Sequence, residues 1–74
     1  MKNKIKNVIS SIFDVNINEI SDDTSPDSLD NWDSMGHMNL IVALEEEFNI
    51  IFDEDEITEM LNFKLICLII SEKI

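Results

Sequence analysis

Ile5, Val8, Ile9, Ile12 and Phe13 recur at three- and four-residue steps, a spacing that lines one face of a helix. Asp14 and Asn16 favour its end. The pattern then breaks. Residues 14–33 hold Asp22, Asp23, Thr24, Ser25, Pro26, Asp27, Ser28, Asp30 and Asn31, which predict a long loop. Ile17, Ile20, Leu29 and Trp32 punctuate it with apolar anchors, and a short helical turn fits inside it. Loops this long are uncommon in small domains and are often functional. Helical spacing resumes from Ser34 to Phe48, with Asp33 placed to cap the first turn. Residues 49–54 form a connection, Asp55 to Leu61 a short third helix, and Phe63 to Glu72 a last helix capped by Asn62. No alternating strand pattern, repeat or low-complexity tract interrupts this order. The expected fold is all-α: a small four-helix bundle, one domain over residues 1–74, with a long loop between helices one and two.

The second helix has more apolar faces than a simple bundle needs. Leu40, Ile41, Leu44 and Phe48 form a core stripe. Met35, Met38 and Val42 form a second, adjoining one, with Ser34 at the head of the helix and Glu45 and Glu46 at its foot. Two readings compete. If the helix is deeply buried, both stripes are core. If it lies at the surface, the second stripe is a docking face, with adaptable methionine at its centre and acids at its rim.

Charge narrows the partners. The chain of 74 residues carries 16 acids against 5 lysines, with no arginine, for a net charge of −11. Residues 14–62 contain fifteen of the acids and no base. Such a field repels nucleic-acid phosphates and anionic membrane surfaces, and favours partners with basic patches. A hydrophobic content of 45% separates the chain from disordered acidic tails.

The longest apolar run, Leu65 to Ile70, is far short of a membrane span. Lys2, Lys4 and Lys6 imitate the start of a signal peptide, but Asn7, Ser10, Ser11 and Asp14 break the stretch behind them. The single cysteine, Cys67, excludes an internal disulfide and a multi-cysteine metal site, and is expected to pack as a small apolar residue. A cytoplasmic monomer is the expectation.

The candidate chemistry centres on Asp33-Ser34-Met35. A serine where a long loop enters a helix presents its hydroxyl at the positive end of the helix dipole, and a phosphate ester on that oxygen would be favoured there. A plain first-turn serine behind a capping aspartate explains the tripeptide equally well. His37, three residues on, can approach Ser34 on one helix face. A hydrolase would also need an oxyanion site and a cleft, and no Gly-x-Ser-x-Gly elbow is present. His37 is therefore expected to be a flanking surface residue. Asp53-Glu54-Asp55-Glu56 fails as a calcium loop, because the sixth and twelfth positions are Thr58 and Lys64. These acids read as a solvated helix start.

The stretch Leu29-Asp30-Asn31-Trp32-Asp33-Ser34-Met35-Gly36-His37-Met38-Asn39-Leu40, continuing to Leu44-Glu45-Glu46-Glu47-Phe48, resembles the attachment segment and recognition helix of acyl carrier proteins. The resemblance extends over nearly the whole chain and includes Thr24-Ser25-Pro26 and the acidic short third helix. It implies a carrier rather than an enzyme. A phosphopantetheinyl transferase would attach 4′-phosphopantetheine to Ser34, with Asp33 helping to hold the transferase's magnesium ion. The arm would carry acyl or aminoacyl groups as thioesters to loading and transfer enzymes with basic docking patches.

The resemblance also maps partner contacts onto Met35, Met38, Val42, Glu45, Glu46 and, more weakly, Glu54. It maps an acyl cavity between helices two and three onto Leu40, Leu44, Phe52, Ile57 and Met60. Phe52 and Met60 are large, so that cavity is expected to be small and to favour a short or polar acyl group. Gly36 and Asn39 stand where many fatty-acid carriers place acids, and Trp32 precedes Asp33. These departures point to a pathway-dedicated carrier. The reading from another class is an unmodified acidic adaptor that binds a partner through the Met35–Val42 face.

Overall fold

The computed structural model describes residues Met1–Ile74 and contains four helices and no strand. Helix α1 (Lys2–Phe13) buries Ile5, Ile9 and Phe13, one residue per turn. It stops at Asp14, which takes the left-handed conformation (φ 54°) and donates its N–H to the Ser10 carbonyl. Aspartate is among the few non-glycine residues that tolerate this region.

The loop that follows is held down by its own polar groups. Asn16 and Glu19 form a reciprocal capping box around a 3-10 turn at Ile17–Glu19. Thr24 is buried, and its hydroxyl accepts from the Ser21 N–H at 2.8 Å. The Thr24 and Asp22 carbonyls accept from the Phe63 and Lys64 N–H groups at 2.8 and 3.2 Å. Those donors belong to the first turn of α4 (Phe63–Lys73), where no helical carbonyl can reach them. The loop thus completes a helix end distant in sequence. Asn62 caps α4 as expected, through Leu65 N–H. Ile20 and Trp32 are buried, and Ile17 and Leu29 half-buried, so all four anchors hold the loop to the core.

Helix α2 (Ser34–Phe48) buries Gly36, Leu40, Ile41 and Leu44 and ends at Asn49, also left-handed (φ 55°). Phe48 is partly buried against the core. The second apolar stripe faces out: Met35 is 76% exposed, and Met38 and Val42 50% each. The deeply buried reading of α2 is therefore wrong, because the core that α2 shares with α1 covers only one side of it.

Helix α3 spans Glu54–Glu59, starting one residue before the expected Asp55 and ending two before Leu61. The capping box between Asp53 and Glu56 fixes the early start. Met60 leaves helical geometry at the other end and is buried. Helix α4 buries Phe63, Ile66, Cys67 and Ile70 and runs one residue past Glu72 to Lys73. Cys67 packs in the core, and burial pushes its thiol pKa up. Near the amino terminus, Lys2 and Lys4 pair with Asp22 and Glu47 at 3.6 and 3.9 Å. No helix is long and apolar enough to cross a membrane.

Candidate functional site

Ser34 is the first residue of α2, and its side chain is exposed. Asp33 is extended (φ −98°, ψ −167°), and its Oδ1 accepts from Gly36 N–H at 2.8 Å. Its carbonyl accepts the His37 N–H at 2.8 Å. The cap takes up the Gly36 donor. The N–H groups of Ser34 and Met35 have no helical carbonyl before them and lie at the positive end of the dipole.

Gly36 has a steric reason to be glycine. A Cβ there would lie 2.3 Å from the Asn31 carbonyl oxygen and 2.9 Å from Cε1 of Phe13. The loop before Ser34 crosses the first turn of α2 so closely that no side chain fits. An acid at this position is therefore incompatible with this loop path. Asn31 supports that path by donating from Nδ2 to the Phe13 carbonyl at 3.4 Å. Trp32 stacks on Phe13 with ring centres 5.2 Å apart.

An open groove of about 520 Å³ lies beside Ser34. Trp32, Asp33, Ser34, His37 and Met38 line one side, Ile57, Thr58, Met60 and Leu61 the other, with Pro26 at its edge. Of the expected cavity residues, only Ile57 and Met60 reach this space. Leu40, Leu44 and Phe52 are packed into the core, with at most 5% exposure. The resemblance placed them along a cavity between helices two and three, but core packing fills the room they would have lined.

His37 is not a flanking surface residue. It is half-buried, and both ring nitrogens are used. The Trp32 Nε1–H donates to Nδ1 at 2.9 Å, and Nε2 lies 2.9 Å from the Ile57 carbonyl oxygen. An imidazole that accepts at Nδ1 is protonated at Nε2, so Nε2 donates to Ile57. Neither nitrogen is free to take a proton from Ser34, and the Ser34–His37 hydrolase reading falls. Nothing in the spacing of Trp32, His37 and Ile57 announces this bridge, because it depends on where α3 lies.

The acids divide. Glu46 and Glu54 are exposed. Glu45 is half-buried, and its Oε2 accepts from Phe52 N–H at 2.9 Å. One of its carboxylate oxygens is thus tied to the α2–α3 connection. No cluster of three or more metal-ligating side chains is present. Asp33 stands at the mouth of the groove, with Oδ1 on the helix cap.

No curated protein matches the chain significantly. A family model for the phosphopantetheine attachment site matches residues 3–66, which include the loop, all of α2 and α3, and the start of α4. With the match covering most of its length, the chain belongs to the phosphopantetheine attachment-site family, the carrier proteins that bear 4′-phosphopantetheine and are not themselves enzymes.

Proposed function

We propose that Ser34 is the attachment residue and that the chain carries acyl intermediates for a dedicated biosynthetic pathway. One observation carries this reading: an exposed serine hydroxyl at the tip of a capped helix opens onto a groove. The residues suit the group. The hydroxyl is reachable, the N–H groups at the head of α2 favour a phosphodiester, and Met38, Ile57 and Leu61 give an arm carbon surface to lie against. The bound group supplies a thiol on which acyl cargo travels.

The chain's own part is to hold, orient and present. Asp33 keeps the helix tip in shape through Gly36 and offers its other carboxylate oxygen to the transferase's magnesium ion during attachment. Met35, Met38 and Val42 form the docking face, with Glu46 at its foot and Glu54 across the groove. A partner with an apolar patch ringed by basic residues fits this arrangement. The open groove gives no enclosed space for a long chain, which supports a short cargo. The uncharged Asn39 on α2 and the Trp32 that precedes the Asp33-Ser34 pair support a pathway-dedicated carrier.

Incubation with coenzyme A, magnesium and a broad-specificity phosphopantetheinyl transferase tests the assignment by intact mass. One phosphopantetheine should be added to the natural chain and none to Ser34→Ala. An adduct retained by Ser34→Ala would overturn it.

A further inference from the structure

The ring of His37 joins three separate parts of the chain. On one side it holds Trp32, two residues before Ser34. On the other it holds the carbonyl of Ile57 in α3. Its own backbone lies in the first turns of α2. All three residues line the groove beside Ser34.

The Trp32 indole is held at a face and at an edge. It stacks on Phe13, and its N–H edge meets the His37 ring nearly in plane, at 18° and 6.2 Å between centres. Helix α3, by contrast, buries none of its own residues. Its buried anchors, Phe52 and Met60, lie outside its two ends. Between them, the half-buried Ile57 side chain and the His37 bond are what tie its middle to α2.

We propose that His37 is a positioning residue for the prosthetic arm: its bridge from Trp32 to Ile57 holds α3 at a fixed distance from the attachment segment and keeps the groove formed. This rests on Ser34 as the attachment point. The bridge also turns the donors of the groove wall inward. The Trp32 indole N–H and the His37 Nε2–H bond within the protein, and the Thr58 hydroxyl donates to the Glu54 carbonyl. The face left to the arm is mainly the carbon surface of Met38, Ile57 and Leu61, with Met60 buried behind them. Without His37, α3 loses its hydrogen bond to α2 and keeps only the Ile57 side chain and the Lys73–Glu56 pair between its end anchors, and the indole N–H is left without its partner.

The test uses the full chain, isotope-labelled, before and after phosphopantetheine attachment. In the unmodified His37→Ala variant, amide exchange over residues 57–61 should accelerate about tenfold or more. Exchange over residues 66–70 should change less than about twofold. The Trp32 indole proton should lose its protection. His37→Gln, whose amide offers a carbonyl acceptor and an NH2 donor group, should restore much of both. Trp32→Phe, which keeps the ring and the Ile57 bond, should disturb α3 less than His37→Ala.

After attachment, the arm should shift the resonances of Met38, Ile57 and Leu61 in the natural chain. In His37→Ala those shifts should fall by about half or more, while the shifts at Ser34 and Met35 persist. Equal acceleration in every helix, or none in α3, would overturn the positioning role. So would unchanged arm-induced shifts in His37→Ala. A natural chain that takes up no arm would overturn the attachment reading instead. The exchange pattern is measured before attachment, so the two failures are distinguishable.

Discussion

Helices α4 and α3 are neighbours in sequence and opposites in construction. Helix α4 buries Phe63, Ile66, Cys67 and Ile70 along one face, and its first turn receives carbonyls from the loop. Helix α3 buries none of its own residues and is held by polar devices. These are the Asp53–Glu56 capping box, the His37 bond to Ile57, and Lys73, which reaches Glu56 at 2.9 Å. Lys73 also lies 5.8 Å from the centre of the Phe52 ring. Apolar burial is non-directional and grows with area, so α4 belongs to the cooperative core. Hydrogen bonds and ion pairs are individually modest and local, so α3 can adjust without the domain unfolding. The groove beside Ser34 has one wall on this second kind of structure. A carrier that must shelter cargo and then release it to enzymes benefits from such a division.

The sharpest way to break this contrast is to empty the α4 side. Phe63→Ala removes a fully buried ring and should cost about 3–5 kcal/mol, a large part of the stability of a domain this small. Chemical denaturation should show all helices lost together at a lower midpoint. If α3 alone melted, the core role of α4 would be refuted.

A smaller effect is expected at the crossing of loop and α2. Gly36→Ala puts a methyl group 2.3 Å from the Asn31 carbonyl oxygen, and that oxygen belongs to backbone that must move. We expect roughly 1–3 kcal/mol of destabilisation. Transferase modification should also slow, because the displaced segment leads directly into Ser34. A variant as stable and as readily modified as the natural chain would show that the close approach is dispensable.

On the α3 side, Asp53→Ala removes the cap and half of the capping box. It should cost about 1 kcal/mol. The loss should appear as faster amide exchange in α3 with little change in α4. Uniform exchange across both helices would remove the distinction between them.

The smallest effect is electrostatic. The Lys73 ammonium, with help from the Asp53 N–H, holds the Glu56 carboxyl below its usual range. A lowered carboxylate pKa contributes stability above the unfolded value, and that contribution fades as pH falls through the folded one. Acid should therefore loosen α3, and Lys73→Met should flatten that part of the pH profile. Both side chains are partly open to solvent, so added salt should weaken the effect. An acid response identical in Lys73→Met and the natural chain would dismiss the pair as a tie.

The contrast also explains what the sequence made legible. Helix α2 and its cap were readable because the Asp33 cap and the apolar spacing from Leu40 to Phe48 act within the helix itself. The exposure of Met35, Met38 and Val42 was open to two readings, since it depends on which sides of α2 other helices cover. His37 and the groove lining depart from expectation for a single reason. Both are decided by the position of α3, through the Ile57 carbonyl and Met60. Gly36 looked like a missing acid, whereas its role is to let the Asn31 carbonyl pass. Contacts among residues 13, 31 and 36 leave no periodic mark in the chain.

The most direct test of the central claim is to locate the arm on the natural chain. After transferase treatment, fragmentation mass spectrometry should place one phosphopantetheine on Ser34 and leave Ser10, Ser11, Ser21, Ser25, Ser28 and Ser71 bare. An adduct on any of those six, or none at all under conditions that modify a control carrier, would contradict it.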